Sequence, residues 1–248
     1  MPHPQLHGIN ILLPTYKRVR SGLLPRFLRS FEDMAADPKC LSFTILVNKD
    51  DSETQEWVRE WWIAVEERGI KASVILAACE KPHLGWFYNT LYQTTPFQDP
   101  GLAVTLLGDD MECMTKGWDT RVLAELNKRQ GLCVVHCRDG IQNGRIAVNF
   151  FTSRAWVDAT GGKFMVDVPV DFVDVAATEV ARGLGLEVYL DDVVITHHHH
   201  SLKSEKDWDD GFRRLRGEYG KMGNQEERVR VFVKDAIDHF TRLERGHG

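Results

Sequence analysis

Apolar residues recur along this chain in two rhythms, and the switches between them outline its elements. Ile9-Asn-Ile-Leu-Leu13 is a short apolar run with the look of a buried strand, and Pro14 is expected to stop it. Over residues 25–36 the spacing lengthens, and Phe27, Leu28, Phe31 and Met34 fall on one face of a helix. Phe43-Thr-Ile-Leu-Val47 predicts a second strand. Ser52 and Gln55 have the spacing of a capping box, opening a helix through Trp57, Trp61 and Ile63 that Gly69 ends. Strands at 72–76 and 102–107 flank a helix over 85–94. A parallel crossover needs a connection of helix length, so this alternation predicts a mostly parallel sheet with helices on both faces.

The second half is more mixed. Residues 132–136 and 146–151 read as strands, the latter suited to a small antiparallel element. A helix is expected over 173–184 and a strand over 186–190, within a longer run to Thr196. Val229, Phe232, Val233, Ile237, Phe240 and Leu243 form an amphipathic stripe that predicts a helix packed on the core. No internal repeat or low-complexity tract interrupts the chain. The expected organisation is one catalytic unit, residues 1–201, with a C-terminal helical extension, residues 202–248, packed on it.

Composition changes this picture little. A formal net charge of −5 gives no global attraction to nucleic acid. Arg213-Arg-Leu-Arg216 is a local basic cluster, read first as an exposed helix face and second as a polyanion contact. The five cysteines are scattered, and with no secretory signal after Met1-Pro-His-Pro-Gln they predict free thiols and a cytoplasmic setting. Cys133-Val-Val-His-Cys137 invites a zinc assignment, but alternation puts Cys133, Val135 and Cys137 on one strand face, as small buried residues. No run reaches the roughly 18 apolar residues of a membrane helix.

The chemistry concentrates where strands end. Val104-Thr-Leu-Leu-Gly-Asp-Asp-Met-Glu112 is an apolar run that stops at two adjacent acids, Asp109 and Asp110. Paired carboxylates at a buried strand end repel one another unless a cation compensates, and a hard divalent ion such as Mg2+ or Mn2+ takes such oxygens. An acidic turn is the plainer reading. A second run, Val188-Tyr-Leu-Asp-Asp-Val-Val-Ile-Thr196, leads into His197 to His200, and alternation puts His197 and His199 on one side. The two strand ends are expected to meet over one ion. After the first strand, Lys17, Arg18 and Arg20 offer cations to a phosphate, or form a solvated basic turn. After the second strand, Asn48-Lys-Asp-Asp51 can cap the next helix or accept hydrogen bonds from a base or ribose. After the third, His83-Leu-Gly-Trp-Phe-Tyr-Asn89 combines a glycine that permits close approach with an amide that can bind a ligand.

Taken in order, these segments resemble the GT-A glycosyltransferases, particularly the large family-2-like group. Ile11-Leu-Leu-Pro-Thr-Tyr-Lys-Arg18 is similar to their opening strand and nucleotide-binding loop. Residues 47–54 are similar to their Val-Asp-Asp-Gly-Ser-Thr segment, residues 85–89 to their glycine segment ending in Arg-Asn, and Asp109-Asp110 with Gly117-Trp118 to the strand carrying their Asp-x-Asp metal motif. Val173-Asp-Val with Gly185 resembles their Glu-Asp-x-Asp helix, and Val193-Val-Ile-Thr-His197 their late strand ending in a metal-binding histidine. Departures are Lys49 in the base-binding segment, the missing glycine there, and Val173 in place of the usual glutamate.

The resemblance spans residues 9–200 and implies a GT-A, Rossmann-like α/β fold and transfer of a sugar from a nucleotide-diphosphate sugar, a UDP-sugar first. It implies Mn2+ or Mg2+ held by Asp110, His197 and, second, His199. Pro14, Thr15, Tyr16, Arg18, Asp50, Asp51, Gly85, Asn89 and Asp109 become the nucleotide-sugar-binding set. Asp174 becomes the general base of an inverting displacement, with a retaining route or another base, Asp171, as the alternative, against the plainer reading of an acid that suits a helix start. The acceptor is a glycan, a small molecule or hydroxymethylated DNA. A nucleotidyltransferase is the rival reading, but residues 14–20 lack the usual Gly-rich signature; a non-catalytic nucleotide-sugar-binding module is the third.

Overall fold

The computed structural model describes residues 4–78, 84–168, 172–199 and 225–246. His83, Asp171, His200 and Arg213 to Arg216 lie outside the described residues. Among the described residues eight strands form one sheet: β1 (Gly8–Thr15), β2 (Leu41–Asn48), β3 (Lys71–Ala77), β4 (Leu102–Leu106), β5 (Met111–Cys113), β6 (Val134–Arg138), β7 (Phe150–Ser153) and β8 (Glu187–His197). Their spatial order is β3-β2-β1-β4-β7-β6-β8-β5. β1, β2, β3 and β4 run parallel, β7 is antiparallel to β4 and β6, and β6 is parallel to β8. It follows that β1, β2, β3, β4, β6 and β8 all point the same way, and only β5 and β7 run against them. Their shared carboxyl edge is where ligands bind in open α/β sheets.

Seven α-helices are described: α1 (Leu23–Met34), α2 (Ser52–Glu67), α3 (Leu84–Thr94), α4 (Trp118–Lys128), α5 (Arg154–Ala159), α6 (Val173–Gly183) and α7 (Gln225–Gly246). They divide over two cores, one on each sheet face. Ile9, Ile11 and Leu13 of β1 turn toward α1, α2 and α4, meeting Phe27, Phe31, Val58 and Trp118. Leu12 points the other way, into a second core with Tyr88 of α3, Trp156 of α5, Val180 of α6 and Phe240 of α7. The period of two in the strand thus loads both faces. α7 packs on α5 and α6: the Trp156 and Phe240 rings are 6.2 Å apart, and a Cβ at Gly183 would stand 2.6 Å from Ile237 Cδ1. Among the described residues, no helix is long and apolar enough to cross a membrane.

Several expected boundaries shift for physical reasons. Pro14 lies inside β1 rather than ending it. Leu12 N points toward β4, donating to Thr105 Oγ1, so the missing Pro14 N–H, two residues on, faces the same side. There the β1–β4 ladder has already stopped at Asn10, while Pro14 still pairs with Leu46 of β2. The cap of α2 is Asp51, not Ser52; its carboxylate accepts from Thr54 N. The 146–151 run contributes an antiparallel strand to the main sheet rather than to a small separate element. Two apolar runs fuse into β8, whose pairing with β6 jumps from Leu190 to Val194. This bulge at residues 191–193 carries the strand past Asp191 and Asp192 and on toward β5.

Candidate active site

The site is assembled from the turn after β4 and the end of β8. Leu107 is buried, and Gly108 opens a turn closed by Met111 N donating to Gly108 O. A Cβ at Gly108 would stand 2.6 Å from Asp110 Oδ1, so a side chain there would push that carboxylate from its present position. β5 then pairs with β8 so that Met111 sits opposite His197. This register brings the two strand ends together, with His197 Nε2 3.4 Å from Asp110 Oδ1. Their side chains are 14% and 16% exposed, so the pair is largely withdrawn from water. Burial pushes the Asp110 carboxyl up, but the hydrogen bond and charge of His197, with Arg18 and His199, outweigh it and hold the pKa down to about 2. Burial likewise pushes the His197 imidazole down, and the hydrogen bond and charge of Asp110, with Asp139 and Asp174, raise it above its ordinary value. The His199 ring stands edge-on to His197, with centroids 4.8 Å apart.

Asp109 is held separately. Thr15 Oγ1, at the end of β1, donates to Asp109 Oδ2 at 2.7 Å, and Arg18 Nε lies 3.6 Å from Asp109 Oδ1. Arg18 thereby serves both acids, since its charge also reaches Asp110. Tyr16 OH donates to Asp50 Oδ2 at 3.2 Å, and Lys17 Nζ stands 5.2 Å from the centre of the Tyr16 ring. Lys17 itself has a positive φ of 55°, a costly backbone for a non-glycine residue. Its N–H is held by Asp51 Oδ2 at 2.6 Å, while Asp51 Oδ1 caps α2, so this buried acid ties the β1 loop to the helix behind it.

Gly85 and Asn89 occupy one face of α3 and grip the 165–168 segment. Gly85 N donates to Val168 O, and a Cβ there would approach Val166 O to 2.1 Å. Asn89 takes both backbone groups of Met165, accepting from its N at 2.9 Å and donating to its O at 3.0 Å. The residue just before Asn89, the buried Tyr88, donates to Leu107 O at 2.7 Å. Burial pushes its phenol well above the usual range, and the charges of Asp109, Asp110 and Asp174 add to the shift. Asp174 sits in the first turn of α6, after Phe172 at φ 65°, and its charge reaches both Tyr88 and His197.

Pro14, Thr15, Tyr16 and Arg18, Asp50 and Asp51, Asp109 and Asp110, and His197 therefore gather along one sheet edge. Gly85 and Asn89 hold the neighbouring wall. Three residues escaped the sequence reading: Tyr88, Asp139 and Glu112. Asp139 O accepts from His197 N at 3.1 Å, and its carboxylate accepts from Gln142 N and Asn143 N. Its place in Asp139-Gly140, just after β6, was the available signal.

The donor chemistry fits a divalent ion. Among the described residues, no group of three or more His, Cys, Asp or Glu forms a cage. One carboxylate beside imidazoles still suits ions that take most of their shell from phosphate oxygens and water, and the imidazoles favour Mn2+ over Mg2+.

This sheet, with its acids and histidine at the carboxyl edge, has the GT-A fold seen in glycosyltransferases. The likeness extends to the mannosyltransferase PcManGT from Pyrobaculum calidifontis, solved with GDP-Man and Mn2+: TM-score 0.57, 12% identity, 96% of this chain and 71% of that one. S. aureus TarS 1-349 gives a TM-score of 0.58 at 12% identity, over 97% of this chain and 74% of that one. GalNAc-T7, solved with UDP, GalNAc and Mn2+, gives 0.57 at 11% identity, over 77% of this chain and 43% of that one. No protein-family model matches the chain, and no curated protein matches it in sequence. At such identities the likeness is one of fold.

Proposed function

We propose that this protein is a metal-dependent glycosyltransferase that moves a sugar from a nucleotide-diphosphate sugar to an acceptor hydroxyl. The observation that carries the reading is the convergence of Asp110 and His197, 3.4 Å apart, beside Asp109 and Arg18 at one carboxyl edge. The GT-A fold, shared with structures solved with GDP-Man or UDP and with Mn2+, supports it.

In this proposal Asp110 and His197, with His199 alongside, hold Mn2+ or Mg2+. When bound, the ion supplies positive charge against the departing diphosphate. Arg18 adds a fixed cation on the same side, and Asp109, held by Thr15, faces the ribose or the ion. Pro14, Tyr16 and Asp50 line the nucleotide side of the loop. Asp51, Gly85 and Asn89 keep the walls in register. Asp174 accepts the proton of the acceptor hydroxyl as its oxygen bonds to the anomeric carbon and the bond to the diphosphate breaks, a single displacement with inversion. Residues 1–201 form the catalytic unit and 202–248 the extension, in a cytoplasmic setting. A UDP-sugar is the first donor to try, with a glycan, a small molecule or hydroxymethylated DNA as acceptor.

A panel of nucleotide sugars with Mn2+ tests the reading. Slow release of nucleoside diphosphate from one donor, abolished by EDTA and restored by Mn2+ or Mg2+, is expected. Turnover of free nucleotides into pyrophosphate would favour a nucleotidyltransferase, and binding without turnover a non-catalytic module.

A further inference from the structure

A second acid–imidazole pair stands behind the first. His198 Nε2 lies 2.8 Å from Glu112 Oε2, and Arg26 Nε of α1 lies 3.6 Å from the same oxygen. Both pairs bracket one short ladder. β5 is only three residues long and stands at the margin of the sheet, with Glu112 opposite Thr196 and Met111 opposite His197. Beyond it, His198 N donates to Asp110 O at 2.9 Å. A ladder this short holds a strand end weakly by itself. Successive strand residues point to opposite sides, so whatever grips His198 on one side sets the imidazole of His197 on the other. Arg26 Nε is buried with no hydrogen-bond acceptor among the described residues, which leaves the Glu112 carboxylate as the charge it faces. α1 therefore anchors Glu112, and Glu112 anchors His198.

We infer that Glu112 is a positioning residue for the metal site: by holding His198 it fixes the end of β8 in the orientation that presents His197 to Asp110. The role rests on the metal site proposed above. Glu112 does not meet the ion; it sets how much of the imidazole's freedom is already lost before the ion arrives. Groups that orient a metal-ligating side chain govern affinity by about 10- to 100-fold. Glu112, which acts on His197 only through His198 and the backbone, belongs at the lower end of that range.

The test is an electron paramagnetic resonance titration of Mn2+ into the full-length protein with UDP present, alongside its thermal unfolding. Glu112→Ala is expected to raise the Mn2+ dissociation constant about tenfold or more while the protein stays folded. Glu112→Gln keeps an oxygen acceptor for His198 and is expected to bind within about threefold of wild type. In the His198→Ala background, Glu112→Ala should cost nothing further, because its route to the ion is gone. Should Glu112→Ala fail to fold, His198→Ala alone must show the same tenfold loss. Equal binding by wild type and Glu112→Ala would overturn the role. So would an additive pair of losses, which would put Glu112 on the ion itself. A wild-type protein that takes up no Mn2+ would remove the metal site, a result distinct from either.

Discussion

Asp51 and Asp110 lie in the turns that follow two strands of the same sheet, β2 and β4, and are held in opposite ways. Both oxygens of Asp51 accept from backbone N–H groups, Thr54 N and Lys17 N, which no ligand can displace without breaking a helix cap and a loop. Asp110 instead answers the imidazole of His197 across a largely dry corner. A carboxylate consumed by backbone is framework, whereas one balanced by an exchangeable partner can trade that partner for a cation. Asn89 belongs with Asp51, its amide spent on Met165, and Asp109 with Asp110, its partners being Thr15 and Arg18.

The exchangeable acid should be the costliest to remove. Asp110→Ala should cut sugar transfer by about a thousandfold, the scale of losing several kcal/mol of transition-state charge stabilisation. Its unfolding midpoint should stay near that of wild type. Loss of folding together with activity would make Asp110 framework after all. Asp174→Asn comes next: kcat should fall by about 10²–10⁴-fold, with the donor dissociation constant nearly unchanged, by rapid-quench and binding measurements. A near-normal kcat would remove Asp174 from proton transfer. His197→Ala should lose most Mn2+ binding and His199→Ala clearly less; equal mild losses would make the histidine run a surface feature. At the framework end, Asp51→Ala should cost about 1–2 kcal/mol in urea unfolding through the lost cap, with kcat changed little. A stable variant with weakened nucleotide binding would move Asp51 to the ligand side.

Most of the sheet was legible because its strands are apolar runs between helical stripes, and that rhythm survives whatever the tertiary context. β5 was not, since three residues, Met111 to Cys113, carry no periodicity. α4 was missed although Trp118, Val122 and Leu126 recur at a spacing of four, all buried on one core. The cap of α2 was misplaced by one residue because Asp51 and Ser52 are both good caps, and only the structure says which side chain reaches Thr54 N. The site divides the same way. Asp110 and His197 could be paired from sequence, each being a chemically apt residue at a strand end. The partner of Asn89 and the second partner of Asp51, Lys17, could not, lying 76 and 34 residues away on segments with no shared pattern. The Glu112–His198 pair depends on the β5–β8 register, which no local signal encodes.

We propose that Asp110 and His197 share one divalent ion with a nucleoside diphosphate. The most direct measurement is a crystal structure with UDP and Mn2+, read by anomalous scattering at the manganese edge. One anomalous peak is expected within bonding distance of an Asp110 oxygen, a His197 nitrogen and the diphosphate. A nucleotide bound with its metal elsewhere, or bound at this edge with the Asp110–His197 pair intact and no peak beside it, would contradict it.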